Sequence, residues 1–339
     1  MERKVFIFIC HTPLHVLISS IISSTELLGE EITFIVVEDS DGLFGFAVEI
    51  GLEKSGAIVR LAGSGVIRNR IKYTLAQRKN ASLIRMKFRS LVRRVYVFND
   101  LRPEAQVLLN DRRLAKDGCE FVLVEDGMAL YPPAGELVNG LLAVAKRKVF
   151  FGWRWQHARF IGLHPGLSEI RAFYPGLLRK DLCHLKSRAL PVQDLRCVAS
   201  NLSEVMVDNE YSKIPSAIIA IPFGNERAED CRDFLFKSLG LCRSLGLKPY
   251  LKPHPRDKDY LINLKDILSG VDILSQSHPL EVLVGLLPDV RAIIGCRTSS
   301  LYICRLLYSD VGVYFFSNPS RLDDGCWVDF YRQVGVEII

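Results

Sequence analysis

Two acids and a glycine occupy a position where a parallel sheet presents side chains to a ligand. The tripeptide Glu-Asp-Gly at 125–127 directly follows the apolar run 121–124, which predicts a buried strand. Ligands of open parallel sheets bind outside the carboxyl ends of the strands. Neighbouring side chains of a strand point in opposite directions, so we expect one carboxylate to face the ligand and the other to orient a loop. An acidic turn with a glycine at its bend is the alternative.

A histidine between two prolines follows a second apolar run. Residues 252–256 read Lys-Pro-His-Pro-Arg and begin where the predicted strand at 249–252 ends. The prolines restrict the backbone on both sides of His254, and the flanking cations favour an anionic ligand. The dipeptide His-Pro also occurs at 164–165 and 278–279, so its position after a strand is what singles out His254. This position predicts a catalytic or phosphate-binding histidine.

A hydroxyl-rich segment opens a helical pattern in the same half of the chain. Residues 295–300 read Gly-Cys-Arg-Thr-Ser-Ser and follow a predicted strand. Free backbone N–H groups at a helix start attract phosphate, and hydroxyls add donors. Helix capping by Thr298 or Ser299 needs one hydroxyl, so the cluster favours a phosphate site. Glu281 lies at the start of another predicted helix. It could be a partner of ribose hydroxyls or an ordinary first-turn acid.

Short apolar runs that alternate with helical patterns must position these residues. The predicted strands are 5–10, 32–37, 95–98, 121–124, 217–222, 249–252, 271–274, 292–294 and 311–315. This alternation predicts an α/β protein whose parallel sheets carry helices on both faces. Thr12 is expected to cap a helix that has Pro13 at its first position.

The length of 339 residues suits two domains of about 150 residues each. The alternation of strand and helix patterns is interrupted at 185–212, which predicts a linker. We therefore expect an N-terminal domain at 1–190, a C-terminal domain at 191–320, and a final helix within 321–339 that crosses back to the first domain.

The composition is that of a folded protein, with 49% hydrophobic residues and a net charge of +6. The nine cysteines are scattered singly without a C-x-x-C pair, which argues against a zinc cluster and a disulfide framework. Histidines and a proline interrupt the uncharged run 5–24, so it predicts neither a signal peptide nor a membrane span. We expect a cytoplasmic protein. Asp323 and Asp324 form a weak candidate carboxylate pair for a metal ion.

Positive charge is concentrated in one segment. Residues 68–94 contain ten lysines and arginines, and 54–99 contain no acid. The segment also contains an apolar stripe that predicts a basic amphipathic helix, at Ile84, Phe88, Leu91, Val92 and Val95. A solvated helix face is one interpretation, and attraction to anionic lipid or to an anionic acceptor at the membrane surface is the other. Nucleic acid is disfavoured because only Tyr73 and Phe88 interleave with the charges.

The order of these motifs along the chain resembles that in bacterial sialyltransferases. The motifs are 125–127, 252–255, Glu281 and 299–300. These enzymes have two facing Rossmann-like domains, the GT-B architecture, with D/E-D-G, HP and serine-pair motifs. The opening Ile-Cys-His-Thr-Pro-Leu-His at 9–15 also looks like the lipooligosaccharide sialyltransferases, glycosyltransferase family 52. The resemblance runs from the first strand to about Leu307.

The resemblance implies an inverting transferase that uses neither metal nor cofactor. It would move sialic acid, or a related nonulosonic acid, from a CMP-sugar to a hydroxyl of a bacterial lipooligosaccharide, capsule or O-antigen. The resemblance implies that Asp126 is the general base and that His254 binds and protonates the departing phosphate. It also implies a nucleotide site in which Ser299 and Ser300 bind the phosphate and Glu281 binds the ribose. The backbone of Lys252 and Pro253 would bind the cytosine. Weaker implied substrate contacts are Thr12, Gly127 and the sugar platform Trp153, with Trp155 as its partner or as a buried anchor.

Other readings fit some of the same motifs. A CDP-glycerol or polyol-phosphate transferase also has a C-terminal His-Pro and a serine pair, and a nucleotide-sugar epimerase shares the architecture. The donor could carry legionaminic, pseudaminic or 3-deoxy-octulosonic acid in place of sialic acid. A protein that binds saccharide or a membrane surface without catalysis is the remaining alternative.

Overall fold

The computed structural model divides the chain into two units, Met1–Pro191 and Val192–Ile339. It describes residues 5–40, 42–64, 67, 69–88, 92–132, 141–152, 155–198, 214–221, 228–254, 270–275, 278–317 and 324–339.

Within these ranges the first unit forms a seven-stranded parallel sheet in the order β3-β2-β1-β4-β5-β6-β7. Its strands are β1 Val5–Cys10, β2 Glu31–Glu38, β3 Ala57–Ala62, β4 Val92–Val97, β5 Glu120–Val124, β6 Glu169–Ala172 and β7 Lys186–Ala189. Its helices are α1 Pro13–Glu26, α2 Leu43–Glu49, α3 Leu52–Ser55, α4 Arg70–Lys87, α5 Pro103–Leu109, α6 Arg112–Lys116 and α7 Leu141–Phe151.

The described part of the second unit forms a six-stranded parallel sheet in the order β10-β9-β8-β11-β12-β13. Its strands are β8 Ser216–Ala220, β9 Lys248–Lys252, β10 Asp272–Ile273, β11 Val290–Gly295, β12 Gly312–Phe315 and β13 Glu337–Ile338. Its helices are α8 at 192–198, α9 Ala228–Ser244, α10 Leu280–Leu286, α11 Ser299–Leu307 and α12 Asp324–Gln333.

The central strands are almost continuously apolar because helices cover both faces of each sheet. In the first unit, the ring of Phe8 stacks on Tyr96 at 4.3 Å and on Phe34 at 5.4 Å between ring centroids. The core therefore holds β1, β2 and β4 in register and fixes where their carboxyl ends lie. No helix of the described residues is long and apolar enough to cross a membrane.

The prediction of an α/β fold with parallel sheets is confirmed. Four strands were not predicted, namely β3, β6, β7 and β13. Strand β7 is exposed along its whole length, so it lacks an apolar run, and it lies inside the segment predicted as a linker at 185–212. The linker prediction is wrong for these four residues, because backbone pairing with β6 holds them in the sheet. It is also wrong at 192–198, which form helix α8.

The predicted basic helix is wrong at its C-terminal end. Helix α4 ends at Lys87, and Val92 and Val95 belong to β4, where β-branched side chains pair between β1 and β5. Ile84 and Phe88 are buried against the core as the stripe predicts. In the last segment, Tyr331 of α12 stacks on Phe315 of the second sheet, and the crossing of this helix to the first domain stays a prediction.

Candidate active site

The chain turns sharply where β5 ends. Strand β5 ends at Val124, and Gly127 leads into a short 3-10 helix, Gly127–Leu130. Gly127 has a φ of 73°, a conformation that glycine adopts without the steric penalty of a side chain. The structure thus gives Gly127 a conformational role in presenting the two acids before it.

Glu125 is the acid that orients a loop. Its side chain is fully buried, and Oε2 accepts hydrogen bonds from the hydroxyl of Tyr131 at 2.5 Å and the backbone N–H of Phe173 at 2.7 Å. The Tyr131 hydroxyl in turn accepts the N–H of Tyr174 at 3.1 Å. Glu125 therefore ties the turn after β5 to the turn after β6.

Asp126 is the acid that remains accessible, and a buried histidine orients it. The Nε2 atom of His15 lies 2.7 Å from Oδ1 of Asp126, whose side chain is 30% exposed against 1% for His15. The Nδ1 atom of His15 accepts the backbone N–H of His11 at 3.1 Å, so the neutral ring carries its proton on Nε2 and donates it to Asp126. The ring also stacks on Phe98 at 4.0 Å, which fixes its plane.

A second buried carboxylate lies at the same edge of the sheet. Asp39 follows β2, and its carboxylate receives His11 Nδ1 at 3.0 Å, Arg102 Nη2 at 2.7 Å and the backbone N–H of Ser64 at 2.9 Å. Burial opposes ionisation of Asp39, but the hydrogen bond from His11 and the charge of Arg102 outweigh it and hold the pKa well below its usual value. The Tyr73 hydroxyl donates to Asp39 at 3.2 Å, and burial raises the pKa of Tyr73 to about 12.

Sequence reasoning missed the histidine and arginine partners of these acids. Two histidines four residues apart, at His11 and His15, flank a predicted helix start directly after a predicted strand, and this spacing was the available signal. Asp39 likewise follows a predicted strand. His11 pairs with Asp39, 28 residues away, and His15 pairs with Asp126, 111 residues away. Both pairings depend on the order of the strands in the sheet, which no local pattern contains.

Two of the weaker predicted substrate contacts can be compared with the structure. Thr12 caps α1, since its hydroxyl accepts the backbone N–H of His15 at 3.3 Å, and this bond fixes the first turn that carries the histidine. Trp153 lies outside the described residues. Trp155 is buried, with the guanidinium of Arg147 5.3 Å from its ring centroid, which fits an anchor.

In the second unit, Lys252 and Glu281 form a buried pair at the carboxyl edge. Lys252 ends β9, and its Nζ donates to the backbone carbonyl of Pro253 at 2.9 Å. Burial lowers the pKa of Lys252 to about 8, against the opposing charge of Glu281. Burial also raises the pKa of Glu281, although a hydrogen bond from Ser300 and the charge of Lys252 oppose that shift.

One oxygen of Glu281 has no hydrogen-bond partner among the described residues. This atom is Oε1, and it is fully buried. The backbone carbonyl of the same residue accepts the hydroxyl of Tyr308 at 2.6 Å, so the start of α10 is held in place. A buried acceptor without a donor is costly, which makes this oxygen a candidate ligand contact.

The start of α11 supplies hydroxyls beside Glu281. Thr298 is the cap, with its hydroxyl accepting the backbone N–H of Ser300 at 3.4 Å. The capping function therefore falls to Thr298, and Ser299 and Ser300 are half-buried in the first turn. Tyr331 donates to the carbonyl of Thr298 at 2.9 Å and steadies this turn.

The structure thus brings Lys252, Glu281 and Ser300 together at the edge of the second sheet. His254 is half-buried two residues beyond β9, and the residues from 255 to 269 lie outside the described part. Asp126 belongs to the first unit and His254 to the second.

Solved structures share this fold at low sequence identity. The α/β-galactoside α-2,3-sialyltransferase of Photobacterium phosphoreum has a TM-score of 0.58 at 12% identity, covering 100% of this chain and 99% of that chain. A 2,6-sialyltransferase from Photobacterium sp. JT-ISH-224, in complex with CMP and lactose, has a TM-score of 0.55 at 13% identity, covering 100% and 78%. UDP-GlcNAc 2-epimerase from Methanocaldococcus jannaschii has a TM-score of 0.63 at 13% identity, covering 99% and 88%.

These likenesses define the class of fold, the GT-B architecture of two Rossmann-like α/β units. The family model described as Alpha-2,8-polysialyltransferase (POLYST) matches residues 6–316, and the chain belongs to that family. It is therefore a glycosyltransferase of the sialyltransferase group. The narrower assignment to glycosyltransferase family 52 stays a prediction. No curated protein sequence matches the chain significantly.

Proposed function

We propose that this protein is an inverting sialyltransferase that needs no metal or other cofactor. It transfers sialic acid, or a related nonulosonic acid, from a CMP-sugar to a hydroxyl of a bacterial lipooligosaccharide, capsule or O-antigen. The observation that carries the proposal is Asp126, a solvent-accessible carboxylate at the carboxyl end of β5 that the Nε2–H of buried His15 orients at 2.7 Å. Membership of the polysialyltransferase family supports the sugar class.

In the proposed reaction, Asp126 accepts the proton of the acceptor hydroxyl as the hydroxyl oxygen attacks the anomeric carbon. The bond from the anomeric carbon to the phosphate oxygen breaks, and its electron pair stays with departing CMP. A single displacement from the opposite side inverts the anomeric configuration. His15 holds the carboxylate in position because its neutral ring donates one hydrogen bond to it.

The second unit would bind the nucleotide. Hydroxyls and N–H groups of Ser299 and Ser300 at the start of α11 suit the phosphate, and His254 is the proposed donor to its departing oxygen. The unpartnered Oε1 of Glu281 suits a ribose hydroxyl. Lys252 offsets the charge of Glu281 and fixes the carbonyl of Pro253, where the backbone is proposed to bind cytosine.

The acceptor is proposed from the family's description and from one structural neighbour. The family's name makes a terminal sialic acid, extended in α-2,8 linkage, the first acceptor to test. The neighbour in complex with CMP and lactose makes a galactoside the second. Localisation at the inner face of the cytoplasmic membrane is part of the proposal.

A donor and acceptor panel tests the function. Purified protein is incubated with CMP-sialic acid, CDP-glycerol or UDP-GlcNAc, each with a sialylated oligosaccharide or lactose, and with or without EDTA. We expect CMP release and a sialylated product from CMP-sialic acid alone, unchanged by EDTA. Turnover of CDP-glycerol would support the polyol-phosphate alternative, and epimerisation of UDP-GlcNAc would support the epimerase whose fold this chain shares.

A further inference from the structure

Helix α4 attaches to the first unit by one face. Tyr73 on this face contacts Asp39, and the side-chain amide of Asn80 donates to the carbonyl of Ala62 at 2.9 Å. Ile84 is buried in the core below them. The helix is therefore held rigidly to the sheet, and its opposite face points to solvent.

The outer face of α4 carries four exposed apolar side chains. The exposed fractions are 73% for Ile71, 52% for Leu75, 40% for Leu83 and 55% for Met86. In the part of the chain that the structure describes, these are four of the twelve exposed large apolar side chains. At 100° per residue, Ile71, Leu75 and Met86 fall within an arc of about 60°. They form an apolar stripe that Ser82 interrupts, because Ile71 and Leu75 lie near the start of the helix and Met86 lies about three turns beyond Leu75.

Cations lie along both edges of this stripe. On the same helical projection, Arg78 and Arg85 lie on one side of it, and Lys72 and Lys79 lie on the other. All four side chains are exposed, and α4 contains no acidic residue. An apolar centre with cationic edges is the arrangement that places a helix in the interface of an anionic bilayer.

We propose that the outer face of α4 docks on anionic lipid, with Ile71, Leu75 and Met86 entering the interface and the four cations lying at the lipid phosphates. A soluble polyanion or a nucleic acid would use the cations but would leave the apolar stripe in water. A lipid surface accepts both features of the helix at once.

Docking through α4 would orient the carboxyl edge of the first sheet. Tyr73, in the first turn of α4, shares Asp39 with Arg102 beside the candidate active site. The start of the helix is thus coupled to the edge that carries Asp126. Delivery of a lipid-linked acceptor to this edge rests on the proposed function, whereas lipid binding itself does not.

Vesicle co-sedimentation without donor or acceptor tests the docking surface. Vesicles of phosphatidylcholine are compared with vesicles that also contain phosphatidylglycerol, for the wild type and two variants, I71S/L75S/M86S and K72Q/R78Q/K79Q/R85Q. We expect the wild type to bind only the anionic vesicles. Binding should fall about fivefold for each cation removed, and about tenfold or more in the apolar variant.

Matched controls change equally exposed residues elsewhere. L28S/V149S/F236S removes three exposed apolar side chains, and K116Q/K146Q/K186Q/R243Q removes four exposed cations. We expect both controls to bind anionic vesicles within about twofold of the wild type. Equal loss in the controls, or equal wild-type binding to neutral vesicles, would overturn the proposal.

A gain-of-signal variant covers the case in which the multiple variants misfold. In Leu75→Trp the new indole should shift its fluorescence to shorter wavelength on anionic vesicles, whereas Leu28→Trp should not. An unshifted Leu75→Trp spectrum with bound protein overturns insertion of the stripe. If I71S/L75S/M86S bound anionic vesicles as well as the wild type does, and dextran sulfate displaced it from them, the cations would be assigned to a soluble polyanion instead.

Discussion

The carboxyl edges of the two sheets differ in how their buried acids are bonded. At the first edge, Asp39 receives hydrogen bonds from His11, Ser64 and Tyr73. At the second edge, one buried oxygen of Glu281 has no hydrogen-bond partner among the described residues. The first edge is therefore preorganised before any ligand binds. The second edge has a polar group that a ligand can satisfy. This difference suits a fixed general base in one unit and a nucleotide site in the other.

The largest effect on activity is expected from removing the proposed base, Asp126. Asp126→Asn keeps an oxygen for the His15 hydrogen bond but cannot accept the proton, so initial transfer rates should fall about a thousandfold. CMP affinity by calorimetry should stay within about twofold, because the proposed CMP site belongs to the second unit. Asp117→Asn, at an exposed position of the first unit, is the matched control. Full transfer by Asp126→Asn would refute the base assignment.

The next largest effect is expected on the free energy of unfolding, when Asp39 at the edge of the first sheet is replaced. Asp39→Asn leaves Arg102 without its carboxylate and should lower the free energy of unfolding at neutral pH by about 3 kcal/mol. The folded pKa of Asp39 lies below its ordinary value of 3.8, so its stabilisation is complete above about pH 4 and is lost as the pH falls further. Urea unfolding should show the gap between variant and wild type narrowing below pH 4. A gap that is constant with pH would contradict this account.

His15 is proposed to position Asp126, and its contribution should be smaller than that of the proposed base. His15→Ala should lower kcat about thirtyfold, because Asp126 loses the donor that fixes its orientation. His15→Gln can present an amide N–H in its place and should recover part of this loss, which a purely structural role would not predict. Thermal unfolding of both variants separates loss of fold from loss of orientation.

The smallest effect is expected at the second edge. Glu281→Gln should weaken CMP binding about tenfold, because an amide group replaces one oxygen of the carboxyl group that is proposed to accept a ribose hydroxyl. The exposed Glu337→Gln serves as its control. Unchanged CMP affinity in Glu281→Gln would remove this residue from the nucleotide site and weaken the contrast between the two edges.

Local patterns predict those parts of the fold that bury continuous apolar runs. Strands β1, β2 and β5 are read directly from such runs, and the motifs at 125–127 and 252–254 do follow strands. Strand β7 lies at one edge of the sheet with exposed side chains, so the hydrophobic signal is weak there. Strand β3 lies at the other edge, and Arg60 interrupts its short apolar run.

The histidine that orients the candidate base could not be predicted in the same way. Strand β4 lies between β1 and β5, so His15 reaches Asp126 by crossing the end of β4, where it stacks on Phe98. This contact requires knowledge of the strand order. Residue types alone identify the acid but not its partner.

The bond from the His11 backbone N–H to Nδ1 of His15 has a consequence for the fate of the substrate proton. A second proton on the His15 ring would break this bond, so the ring is a poor relay. In the proposed reaction, the proton that Asp126 accepts must leave to bulk water before the next turnover. His254 must recover from water the proton that it gives to the departing phosphate. Released CMP loses that proton again near neutral pH, because the second pKa of a phosphate monoester is about 6. Each turnover would therefore acidify an unbuffered solution, and titration with base in a pH-stat would follow the reaction without a labelled sugar.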